Sequence, residues 1–142
     1  MSSLGNAINV SASALNAQRA RIEVAVSNIA NAESTRGADG LPYRRRDVVL
    51  SAMPLNAFDA ALGRADAVGV QVSDVIEDTA EFRRRYDPAH PDADKDGMVA
   101  VPNVDVPEEM VDMLGAARAY QANLTAIGLI RDTIQRALEL GK

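Results

Sequence analysis

The chain has 142 residues, a formal net charge of −5, no cysteine and no tryptophan. That length suits one domain of ordinary size, but 25 residues are alanine and only two are phenylalanine, which is little aromatic area for one thick core. The missing cysteines exclude disulfides, thiolate zinc sites and a cysteine nucleophile.

The first predicted element begins at once. MSSLGNAINVSASALNAQRARIEV has no basic n-region and no long apolar core, so it is expected to be neither a cleaved secretion signal nor a membrane span. Met1, Ile8, Leu15, Ile22 and Ile29 recur every seven residues, with Leu4 and Ala25 at the d positions. This heptad stripe predicts one long helix. The run NAESTRGADGLP, with two glycines and a proline, stops it near Ala32 to Ser34 and closes a first part, residues 1–34.

Residues 35–106 carry strand character. VVL, VGVQVSDVI, EFRRRYD and GMVAV are β-prone runs separated by turn chemistry in DPAHP and DADKDG. MPLNAFDAALGRADA is Ala-rich and predicts an irregular loop or short helical turn. The last part, residues 107–142, repeats the design of the first. Met110, Met113, Ala117 and Tyr120 begin a second heptad series, which Leu124, Ile127, Ile134 and Leu138 continue and only Arg131 breaks. Asp105 is the expected N-cap, Glu108 stands three residues on as in a capping box, and Pro107 fits the first turn. Each helix is expected to be about 45 to 50 Å long. The predicted fold is mainly α with a small β insert: two long terminal heptad helices, pairing antiparallel, joined by a short β-containing middle.

Charge and motifs narrow the chemistry. Residues 33–106 hold fourteen acids and nine bases, and an acidic centre with two short arginine runs argues against nucleic acid, which calls for a contiguous basic face. PDADKDGMVAVPN opens like a calcium loop, with Asp92, Asp94, Asp96 and Gly97 in D-x-D-x-D-G spacing. Two prolines precede it where an entering helix should lie, and the twelfth position is Asn103 rather than glutamate, so a tight turn with Gly97 at positive φ is the better expectation. His90, the single histidine, sits between prolines without a nucleophile context. The residues define no catalytic, cofactor or metal site. Two alternatives remain compatible with them: a soluble coiled-coil adaptor and a calcium-binding regulatory module.

Four segments carry a family resemblance: SNIANAEST (residues 27–35), GLPYRRRDVVL (40–50), YDPAHPDADKDGMVAVPNVDVPEEMVDM (86–113) and RAYQANL (118–124). In this order, across nearly the whole chain, they resemble the bacterial flagellar basal-body rod proteins, and the compact length with the HPDADKDG turn resembles a proximal rod member. Met98, where the family tends to place an aromatic, and Pro107 are small departures. The resemblance implies a structural, non-enzymatic building block without cofactor, exported through the flagellar type III apparatus without a cleaved signal. It also implies polymerisation into the rod that crosses the periplasm, without insertion in the lipid bilayer. Implied partners are copies of itself, other rod proteins and the membrane-ring/rod junction proteins. The two heptad stripes, Ile8, Leu15, Ile22 and Ile29 with the series from Met110 to Leu138, become the expected assembly interface.

Overall fold

The computed structural model describes residues 2–55 and 67–140. Helix α1 spans Ser2–Ala30 and helix α2 spans Val106–Leu140. Between them lie strands β1, Arg46–Pro54, β2, Val68–Glu77, β3, Arg83–Tyr86, and β4, Met98–Val101. At 1.5 Å per residue the helices are about 44 and 53 Å long. The expected fold class is therefore the observed one.

The helices run antiparallel against each other. Asn28 near the end of α1 bonds Glu109 in the first turn of α2, while Leu4 and Gly5 share an apolar groove with Ile134, Ala137 and Leu138 at the opposite end. α1 ends by turning through residues 31–33, where Asn31 donates from both its backbone nitrogen and its side chain to the Ser27 carbonyl, at 3.1 and 2.8 Å. This agrees with the expected stop within the usual latitude of helix ends. α2 starts where its cap predicts: the Asp105 carboxylate accepts from the Glu108 amide at 3.3 Å, and the Asp105 carbonyl accepts from Glu109 at 3.0 Å.

The strands form two separate antiparallel pairs, β1 with β2 and β3 with β4. β1 and β2 run in register from Arg46 opposite Glu77 to Pro54 opposite Val68, with one irregularity between Val49 and Leu50. A two-stranded sheet is marginal unless something packs on it; here α1 does, meeting both β1 and β2. Helix and sheet approach closely at Gly69, where an added Cβ would stand 2.8 Å from the Ser13 hydroxyl. That hydroxyl accepts from the Val70 amide at 3.1 Å and donates to the Val10 carbonyl at 2.7 Å. Met53 and Pro54, expected in an irregular segment, are instead the end of β1. The remainder of that expectation, residues 56–66, lies outside the described residues.

The core is thin, as the composition requires. Among the described residues the buried apolar set is Ala17, Ala25, Val99, Val104 and Ala116. Small side chains bring the helices close but bury little area each.

Candidate assembly interface and the polar node beneath it

The expected interface separates into two lines. On α1, Ile8, Leu15, Ile22 and Ile29 are all half-buried, because this helix lies between α2 and the β1–β2 pair. On α2, Met113, Tyr120, Ile127 and Ile134 are half-buried, whereas Met110, Ala117, Leu124 and Leu138 are exposed, Leu124 by 49% and Leu138 by 65%. The covered positions that complete the inner line are Glu109, Ala116 and Asn123, each one residue before a member of the exposed series, and Ile130, one residue before Arg131. Their spacing with Met113, Tyr120, Ile127 and Ile134 alternates four and three, the heptad rule on a different face. Arg131, expected to break the heptad series, is exposed and lies outside the inner seam; Ile130 takes the seam position.

The periodicity was in the sequence but its phase was not. Two of the four missed positions are polar, so an apolar count favours the neighbouring face. Glu109 and Asn28 are nevertheless among the most buried residues, at 2% and 1% exposure. A buried carboxylate and amide require partners, and both have them.

Asn28 uses its whole hydrogen-bonding capacity. Its amide nitrogen donates to the Arg46 carbonyl at 2.8 Å and to Glu109 Oε2 at 2.9 Å. Its oxygen accepts from the Tyr43 hydroxyl at 2.9 Å and from the Arg46 amide at 3.0 Å. Two donated and two accepted bonds are all an asparagine side chain offers. Glu109 Oε1 accepts from Arg45 Nε at 2.6 Å, and Asp47 and Asp112 stand 3.8 and 4.0 Å from the same guanidinium. Burial opposes the charge on Arg45, but the hydrogen bond and attraction of Glu109, with Asp47 and Glu108, outweigh it and raise its pKa above the ordinary value. Arg45 stays cationic at any working pH. Ser27 extends the node to the Tyr43 hydroxyl, and Asn31 and Ser34 extend it through local bonds, so the SNIANAEST segment is the end of α1 and the loop that wraps it.

A second tie crosses from this loop to the acidic turn. Thr35 donates to Asp92 Oδ2 at 2.8 Å and Arg36 to Asp92 Oδ1 at 3.3 Å. Asp94 Oδ1 accepts from the amides of Asp96 and Met98, both at 2.9 Å, and Gly97 has φ 75°. The carboxylates of the D-x-D-x-D-G run thus serve different partners, and no group of three or more metal-ligating side chains gathers among the described residues. His90 Nδ1 accepts from the Asp92 amide at 3.1 Å, a local loop bond. No described helix is long and apolar enough to cross a membrane.

Comparison with known proteins follows the same division of the chain. Residues 8–38 match a family described as flagella basal body rod protein, and residues 95–140 match the C-terminal family of the flagellar basal body rod FlgEFG proteins. These matches, on the two helices and the segments that leave and enter them, define the class as that of flagellar rod proteins. The flagellar basal-body rod protein FlgC of Bacillus subtilis is 42% identical over 147 residues, covering 96% of this chain and 97% of its own. FlgC of Salmonella typhimurium is 43% identical over 137 residues, with the same coverage, and FlgC of Aquifex aeolicus is 39% identical over 142 residues, covering all of both chains. The chain belongs to the FlgC family of flagellar basal-body rod proteins, a family of structural subunits.

Proposed function

We propose that this rod subunit polymerises through its terminal helices, with α1 completing the fold of the subunit and the outer line of α2 meeting neighbouring subunits. The observation that carries this reading is the exposed series Met110, Ala117, Leu124 and Leu138, accompanied by Val111 and Leu114, on a helix that packs chiefly on α1. A line of exposed apolar side chains at heptad spacing, broken only by Arg131, fits an interaction site.

The neighbours are copies of the same chain and other rod proteins, with the membrane-ring/rod junction proteins at the end of the stack. In transit the subunit passes the type III export apparatus without a cleaved signal, and in place it stands in the part of the rod that crosses the periplasm. Its role is mechanical and needs no catalytic or cofactor site.

The test separates export from assembly. Leu124→Asp places a charge on the outer line and leaves the inner line untouched. In a strain lacking the subunit, the variant is expected to be secreted as well as the wild type yet to yield no recoverable rods. Normal rods built from Leu124→Asp would remove the outer line from the interface. Loss of binding to an unrelated soluble partner, with rods intact, would favour the coiled-coil adaptor.

A further inference from the structure

The apolar part of the inner seam defines the register only weakly. The most buried apolar residues of the two helices are Ala17, Ala25 and Ala116, and side chains this small discriminate less between one heptad and the next than large ones would. If α2 slid by seven residues, Ala116 would come opposite Asn28, Tyr120 would take the place of Met113, and the spacing of covered positions would still match. What would not survive is the polar node. Asn28 would lose Glu109 as acceptor, and Glu109 would leave Arg45, whose guanidinium is only partly exposed. A buried amide donor and a buried charge without partners are costly, and a single buried polar group is the best-attested device for fixing register along a heptad seam.

We infer that Asn28, Glu109 and Arg45 form a register lock, in which Asn28 is the positioning residue that fixes the height of α2 along α1 and ties both to the start of β1. Asn28 is suited to this because its four bonds divide between two elements. Three engage Tyr43 and both backbone groups of Arg46, which fix α1 on the sheet, and the fourth engages Glu109, which fixes α2 on α1. Arg45 then grips Glu109 from the strand side. The outer line of α2 is thereby held at one height relative to the β pairs. A helical polymer needs this, since every copy must present the same surface at the same place. The lock is a property of the single chain, independent of whether the outer line is the polymer contact.

The absence of cysteine makes the test direct. Val24 and Asp112 line one small cavity beside the node, so Val24→Cys with Asp112→Cys reports the observed register. Val24→Cys with Ala119→Cys reports α2 slid by one heptad. In the otherwise native chain the first pair should cross-link in preference to the second by about tenfold or more, the ratio a difference near 1.4 kcal/mol gives. Replacing both Asn28 and Glu109 by leucine should bring the two yields together while helicity by circular dichroism is retained. Glu109→Gln keeps one acceptor oxygen for either Asn28 or Arg45 but turns an amide nitrogen on the other donor, so the preference should fall only part of the way toward that of the double leucine variant. Undiminished preference in the double leucine variant overturns the lock. If the double variant loses its helical signal, Glu109→Leu alone decides, because Asn28 there keeps its bonds to Tyr43 and Arg46. Cross-linking of the observed pair only would then overturn the inference.

Discussion

Asp94 and Gly97 show how much one residue decides in a turn of this kind. The Asp94 carboxylate accepts two backbone amides, from Asp96 and Met98, and so does for the chain what a bound cation does in a calcium loop. Hydrogen bonds to a charged group contribute roughly 1.5 to 3 kcal/mol each in net terms. Exposure of the turn reduces this, so Asp94→Ala should cost about 1 to 2 kcal/mol in urea unfolding. Added calcium should leave the midpoint of the native chain unmoved; a calcium-dependent rise would restore the metal reading. Gly97 and Gly40 both hold positive φ, 75° and 80°, yet they differ in surroundings. An added Cβ at Gly97 meets Tyr86 at 3.0 Å and Pro88 at 3.1 Å, while at Gly40 nothing lies within 4 Å. Gly40→Ala should therefore cost about 1 kcal/mol, the backbone penalty alone, and Gly97→Ala distinctly more, both measured by thermal unfolding. The special backbone of Gly97 was legible in DKDG because turn chemistry is local. The role of Asn28 was not, because a polar residue beside a heptad seam carries no local sign that a strand from eighteen residues on and a carboxylate from eighty-one residues on will meet it.

At the scale of elements, α2 carries two faces that the sequence merged into one. Both have apolar residues at heptad spacing, and only the packing of α1 distinguishes them. The strands were easier to read: three of the four β-prone runs need little more than end adjustment, and VVL grows into the nine residues of β1 because β2 offers a full-length partner. The two faces respond differently to substitution in the isolated chain. Ile127 is half-buried on the inner line, so Ile127→Ala should cost about 1 to 2 kcal/mol, below the 2 to 5 typical of full burial. Leu124→Ala on the outer line should stay within about 0.5 kcal/mol. Equal losses in urea titrations would mean that both lines face α1. The sheet is held to its helix by close approach, not by bulk. Gly69→Ala drives a Cβ to 2.8 Å from the Ser13 hydroxyl and 3.1 Å from Leu55, and should loosen β2 from α1. The expected readout is faster amide exchange at Val70, whose bond to Ser13 would lengthen, with β1–β2 pairing retained.

For the whole molecule the governing fact is an uneven distribution of support along the helices. Near Asn28 and Glu109 three elements meet, polar groups are paired and Ala25 is buried. Toward the far end the support thins. Leu4, Leu129, Leu138 and Leu140 are exposed, and an apolar groove of about 320 Å³ opens between Leu4, Gly5, Ile134, Ala137 and Leu138. Helical segments without tertiary packing are marginal in water, because nucleation is costly and each ordered residue loses conformational entropy. A seam of alanines and half-covered isoleucines offsets that entropy poorly. Order in the free subunit should therefore fall away from the node, with the tips completed only by neighbours, as in other cases of folding coupled to association. Amide exchange on dilute monomer tests this residue by residue. Slow exchange is expected for residues 24–28 and 110–116, and near-unprotected exchange for residues 4–10 and 130–140, with protection of the tips appearing on assembly. Uniform protection along both helices in the monomer would show that the hairpin is stable alone. In that case the exposed line of α2 would have to act by docking preformed helices, without any gain in order on assembly.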